Sequence, residues 1–178
     1  MLMIRLAAAS IAALALANPG YAQDTIFLQP GQSAQFKLGP TERPIETLRG
    51  DAEWTAFDVE RARHLSGLTP PEKPVDHATP IYTKDGDVAP PPIQKEIVST
   101  RFFSIAGQHS MLVVENGYEW ALSYRAHMTL GGKSQLTDVC IVPPGKLSFE
   151  HWPHTIEKIE LFDFRFVAWH PESPIPCA

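Results

Sequence analysis

Apolar and polar residues alternate with a period of two in the second half of the chain, which predicts β-strands. The pattern is clearest in SMLVVENGYEWALSYRAHM, residues 110–128. Asn116-Gly117 separates two strand-like runs there and favours a type I′ turn. The sequence therefore predicts a β-hairpin. The parity predicted to face the core consists of Tyr118, Trp120, Leu122, Tyr124, Ala126 and Met128.

Further strands are predicted on both sides of this segment, at TIFLQPGQSAQFKLGP (two strands about Pro30-Gly31), EIVSTRFFSIAG, TDVCIV, KLSFEH and IEKIELFDFRFVAW. The last of these, residues 156–169, changes phase. Ile159 and Leu161 share one parity, whereas Phe162, Phe164 and Phe166 share the other. A slip of one residue within a strand predicts a β-bulge or a strand that changes its packing partners midway.

Seven or eight short strands separated by turns, without regular alternation of helix and strand, predict an all-β fold. We expect an immunoglobulin-like antiparallel β-sandwich, with a closed β-barrel as the alternative. Helical spacing of apolar residues predicts one short helix over residues 52–65, with Asp51 as its N-cap and Gly67 at its end. Residues 70–92 hold seven prolines, so residues 66–95 are predicted to form a proline-rich surface loop.

The N-terminus has the pattern of a secretory leader. Arg5 precedes an apolar run of about a dozen residues, too short to span a bilayer, and Gly20-Tyr21-Ala22 forms a small-x-small ending. We therefore interpret residues 1–22 as a signal peptide and residues 23–178 as a single domain. The expected location is the periplasm or the extracellular space.

The composition argues against two classes of partner. The formal net charge is −5 and no Lys/Arg cluster is present, which disfavours nucleic acid and anionic membrane surfaces. No membrane span is expected after cleavage of the leader. The two cysteines, Cys140 and Cys177, are predicted to form a disulfide, because an exported chain meets an oxidising compartment.

The stretch CIVPPGKLSFEHWPH, residues 140–154, concentrates side chains that ligate metals. The candidate ligands are His151 and His154, but their odd spacing places them on opposite faces of a continuing strand. Trp152-Pro153 also prevents a helical turn that would bring them together. A disulfide would remove Cys140 as a third ligand. The sequence thus predicts no metal site and no cofactor.

Catalytic motifs such as G-x-S-x-G, H-E-x-x-H and a Gly-rich phosphate loop are not found in the sequence. Glu119, Arg125 and His127 share one strand face and are predicted to form a polar patch. We expect a non-enzymatic exported protein that binds another protein or an envelope component. The alternatives are a periplasmic metal- or small-ligand-binding protein that uses the His151/His154 region, and an envelope hydrolase with residues scattered on loops.

Overall fold

A computed structural model describes residues 25–70 and 87–177. Within these ranges nine strands form two antiparallel sheets that pack face to face, which confirms the predicted β-sandwich, and these strands do not close into a barrel. The strands are β1 (Ile26–Leu28), β2 (Gln32–Leu38), β3 (Pro44–Asp51), β4 (Val98–Ile105), β5 (His109–Asn116), β6 (Ala121–Leu130), β7 (Lys133–Thr137), β8 (Leu147–Trp152) and β9 (Lys158–Val167). The predicted leader and residues 71–86 of the predicted loop lie outside the described residues.

The strand orders are β1-β9-β6-β7 in the four-stranded sheet and β3-β2-β4-β5-β8 in the five-stranded sheet. The apolar residues between the sheets form the main core. Its largest fully buried side chains include Phe36, Phe102, Leu112, Leu122, Ile159 and Leu161. Because these alternate with outward-facing residues, the period of two in the sequence corresponds to the two faces of each strand.

One helix, α1 (Ala56–Ser66), packs on the outer face of the five-stranded sheet. It begins four residues later than predicted, because Thr55 rather than Asp51 provides the N-cap. The Thr55 hydroxyl accepts a hydrogen bond from the Asp58 N–H at 3.1 Å, and the Asp58 carboxylate accepts one from the Thr55 N–H at 3.2 Å. Gly67 ends the helix in the left-handed conformation, as predicted.

The helix is held to the sheet by an aromatic stack and by buried charges. The rings of Trp54 and Phe103 stack with their centroids 4.0 Å apart. Asp58, fully buried, accepts a hydrogen bond at 3.1 Å from Arg101 of β4, which also pairs with Glu115 of β5. The four-stranded sheet therefore packs on the inner face of the five-stranded sheet, and α1 covers part of its outer face.

The predicted hairpin at Asn116-Gly117 is wrong. β5 and β6 belong to different sheets, so the connection crosses from one sheet to the other instead of pairing its flanking strands. Neither residue has a positive φ, which a type I′ turn would require at both central positions. Glycine is instead needed at position 117 because the segment around Gln94 and Ile97 packs closely against it. A Cβ there would overlap the carbonyl oxygens of Gln94 and Ile97.

The predicted parity holds only within β6. Leu122, Tyr124, Ala126 and Met128 are buried, as expected. Trp120 precedes the strand, in the crossing segment, and is 60% exposed. The prediction that Trp120 lies in the core is therefore wrong, because the alternation does not continue into the residues before the strand begins.

The predicted bulge in the last strand is confirmed. Ser123 and Arg125 of β6 pair with Arg165 and Phe162 of β9, so β9 holds one extra residue in this interval. Asp163 lies within it with φ 54°. The extra residue reverses the parity of the buried side chains in the second half of β9.

The C-terminal segment is attached to the sandwich by the predicted Cys140–Cys177 disulfide. The strand predicted over residues 137–142 is replaced by the end of β7 at Thr137 and by isolated bridges at Cys140 and Val142. Residues 89–94, which belong to the predicted proline-rich loop, have no regular secondary structure.

Candidate functional site

An open groove of about 1270 Å³ lies where the β5–β6 crossing meets the segment before β4 and the turn before β8. Its walls include Pro91, Ile93, Tyr118, Trp120 and Leu147. Most of the walls are connecting segments at one end of the sandwich, joined by Phe57 of α1 and by Leu147 at the start of β8. Loops carried on a rigid sandwich are a common location for binding sites.

Asn116 fixes the crossing segment that forms one wall. This fully buried residue donates hydrogen bonds from its side-chain nitrogen to the carbonyl oxygens of Trp120 (2.7 Å), Val142 (3.0 Å) and Pro143 (3.2 Å). Its side-chain oxygen accepts a bond from the Tyr118 N–H at 3.1 Å. The Asn116 amide therefore links two connecting segments at the same end of the sandwich.

Backbone hydrogen bonds fasten the other walls to the crossing segment. The Glu96 N–H donates to the Gly117 carbonyl at 2.9 Å, and the Gly145 N–H donates to the Tyr118 carbonyl at 3.1 Å. Gly117 in turn donates to the Ile97 carbonyl at 2.9 Å. The groove is therefore formed by backbone contacts and does not depend on a ligand to assemble it.

The two aromatic residues of the crossing segment have different surroundings. The Tyr118 hydroxyl accepts a hydrogen bond from the Leu38 N–H at 2.9 Å, and its ring lies 4.8 Å from that of Phe166. Tyr118 is thus part of the wall. The Trp120 side chain remains 60% exposed. An exposed tryptophan on a fixed backbone is a residue type that often dominates binding energy.

Charges of both signs surround the apolar part of the groove. Lys95 and Lys146 provide the cations, and Glu96 and Glu119 provide the anions; all four residues are exposed. The groove therefore has no dominant sign of charge.

The predicted polar patch of Glu119, Arg125 and His127 is only partly assembled. Arg125 and His127 lie on β6, and both contact the Phe162 ring: the Arg125 Cζ atom is 5.5 Å and the His127 ring centroid 4.8 Å from its centroid. The Nδ1 atom of His127 is 3.9 Å from a carboxylate oxygen of Glu160. Glu119 lies outside the strand and lines the groove instead.

His151 meets a different histidine from the one that the sequence suggested. Its Nε2 atom lies 2.9 Å from Nδ1 of His109, which belongs to the neighbouring strand β5. His154 is exposed in the bend after β8. Burial, followed by the proximity of His109, lowers the pKa of His151. Sequence reasoning missed His109 because the two residues are neighbours only across the sheet.

A carboxyl group lies at the edge of the main core. Glu150 accepts a hydrogen bond from the Cys140 N–H at 2.8 Å. Burial raises its pKa to about 7, although that hydrogen bond acts in the opposite direction. Burial, followed by the charge of Glu150, also raises the pKa of Tyr124 well above its ordinary value.

Comparison with known protein families, curated proteins and solved structures found no match. Among the described residues, no group of three or more His, Cys, Asp or Glu side chains is placed to hold a metal ion. No helix in the same ranges is long and apolar enough to cross a membrane.

Proposed function

We propose that this chain is an exported, non-enzymatic binding protein that holds a segment of another envelope protein in the groove beside Trp120. The observation that carries the proposal is the exposed Trp120 indole on a backbone fixed by hydrogen bonds of its neighbours. Burying an exposed tryptophan supplies a large apolar contact, and a fixed backbone reduces the entropy lost on binding.

The size and lining of the groove support a polypeptide ligand. Its volume of about 1270 Å³ exceeds the roughly 300–1,000 Å³ usual for sites that enclose a small molecule. Aromatic and proline side chains line many grooves that bind extended peptides. Two lysines and two glutamates at the groove suit a partner that carries both signs of charge better than a polyanion.

The side chains around the groove favour binding over catalysis. None of the described residues that line it is Ser, Cys or His, the types that most often act as nucleophile or general base. The disulfide is compatible with export to an oxidising compartment. Residues 1–22, which we interpret as the leader, would direct that export.

Affinity capture tests the proposal. The mature chain, residues 23–178, is used to capture partners from envelope extract, and Trp120→Ala is compared with Leu136→Ala. Leu136 is a suitable control because its side chain is 53% exposed, but on β7 and outside the groove.

A partner bound through the groove is retained by the wild type and by Leu136→Ala. Its dissociation constant, measured with the purified partner, rises by about tenfold or more in Trp120→Ala, as expected for loss of a central aromatic residue. A partner that binds all three proteins equally contradicts the assignment of the groove.

A further inference from the structure

The outer face of the five-stranded sheet holds a histidine pair that the groove does not use. His109 lies on β5, two residues before Met111, and Met111 is the register partner of His151 on β8. Because residues two apart on a strand share a face, the three side chains belong to one face of the sheet. Nδ1 of His109 and Nε2 of His151 are 2.9 Å apart.

We propose that His109 and His151 bind one divalent transition-metal ion, copper(II) in preference to zinc(II). Two imidazole nitrogens at bond lengths of about 2.0–2.1 Å and a tetrahedral angle are separated by about 3.3 Å. The observed 2.9 Å needs to open by only a few tenths of an ångström, which side-chain rotation provides. Imidazole sites generally bind copper(II) more tightly than zinc(II).

The metal takes the place of the hydrogen bond between the rings. In that bond one nitrogen carries a proton and the other supplies a lone pair. On metal binding that proton moves, through solvent, to the other nitrogen of the same ring, so both rings stay neutral and the two facing nitrogens donate lone pairs to the ion. Met111 is fully buried among the residues beneath α1 and is not assigned as a ligand. Water molecules complete the coordination.

The backbone positions of the pair are fixed before metal binds. Both histidines lie in paired strands of one sheet. The segment after β8 is joined to the β4–β5 turn by a hydrogen bond from the Thr155 hydroxyl to the Gly107 carbonyl at 2.9 Å, and to β5 by one from the Ile156 N–H to the Ser110 hydroxyl at 2.8 Å. The two imidazoles remain partly exposed, so an ion from solvent reaches them.

Metal titration of the metal-free mature protein tests this inference. Copper(II) and zinc(II) are added separately, in competition with a chromophoric chelator, and electron paramagnetic resonance counts the nitrogens bound to copper(II). The variants are His109→Gln and His151→Gln, since glutamine retains hydrogen-bonding capacity. His154→Gln and His127→Gln are the controls, and circular dichroism verifies that each variant folds.

We expect one copper(II) ion per chain with two imidazole nitrogens. Loss of a residue that only supports a metal ligand typically costs about tenfold or more in affinity. His109→Gln and His151→Gln each remove a direct ligand, so each should weaken copper(II) binding by at least that much, whereas the control variants keep the wild-type affinity. Trp120→Ala should also keep it, because the metal site does not depend on the groove. Equal affinity in His109→Gln, His154→Gln and the wild type would overturn the proposal.

Discussion

Glu150→Gln is expected to stabilise the protein above neutral pH and to have little effect in acid. The wild-type carboxyl group lies at the edge of the core, where burial raises its pKa from 4.5 to about 7. Glutamine has nearly the same shape and is neutral at every pH. Its side-chain oxygen can still accept the hydrogen bond that the Cys140 N–H donates at 2.8 Å.

The sign follows from the proton balance. Between pH 4.5 and about 7 the folded carboxyl group keeps its proton, whereas the unfolded chain has released its own. Unfolding therefore releases a proton in this interval, and the wild-type free energy of unfolding falls as the pH rises through it. Above about pH 7 the loss is complete. A shift from 4.5 to about 7 corresponds to roughly 3 kcal/mol.

Urea unfolding followed by tryptophan fluorescence measures this effect at pH 4.5, 6 and 8. The free energy of unfolding of Glu150→Gln, minus that of the wild type, should be near zero at pH 4.5 and reach roughly 3 kcal/mol at pH 8. Glu119→Gln is the matched control, because Glu119 is exposed, and its difference should stay within about 0.5 kcal/mol. A difference that does not change with pH would refute the assignment of Glu150 to a buried environment.

Three further predictions concern stability. Trp120→Ala should lower the free energy of unfolding by less than about 1 kcal/mol, because Trp120 is 60% exposed. Leu122→Ala should lower it by about 2–5 kcal/mol, because Leu122 is fully buried. Equal losses in denaturant unfolding would contradict the assigned parity. Cys140→Ser should cost about 2–4 kcal/mol, and reduction of the wild type should add the mass of two hydrogens, so free thiols before reduction would contradict the disulfide. Gly117→Ala should cost about 1–3 kcal/mol through overpacking, since backbone oxygens lie against Gly117; an unchanged unfolding midpoint would contradict this packing.

The strands and their buried faces could be predicted from local patterns. Within β6 the alternation identifies Leu122, Tyr124, Ala126 and Met128 as buried. The phase change in residues 156–169 predicts the bulge at Asp163. These features depend on residues close together in the sequence, so a short window contains the information that determines them.

The pairing of strands could not be predicted in the same way. Asn116-Gly117 has the composition of a hairpin turn, but Gly117 packs against residues 94 and 97, which are about twenty positions earlier in the chain. The hydrogen bonds of Asn116 reach Val142 and Pro143. The chain crosses between the sheets here because of contacts between segments that are distant in the sequence. A short window of sequence does not include those partners.

The candidate site was obscured for related reasons. Trp120 was assigned to the core because its parity continues that of β6, although the strand begins only at Ala121. His109 and His151 are forty-two positions apart and meet only through the pairing of β5 with β8.

Site-specific photo-crosslinking in the producing cell tests the central claim, that the groove beside Trp120 holds a segment of another envelope protein. A photoreactive phenylalanine analogue replaces Trp120 in one strain and Leu136 in another, since both side chains are largely exposed, at 60% and 53%. After irradiation, position 120 should yield a discrete adduct with one envelope protein, and position 136 should not. No adduct at position 120, or the same adduct at both positions, would contradict the account.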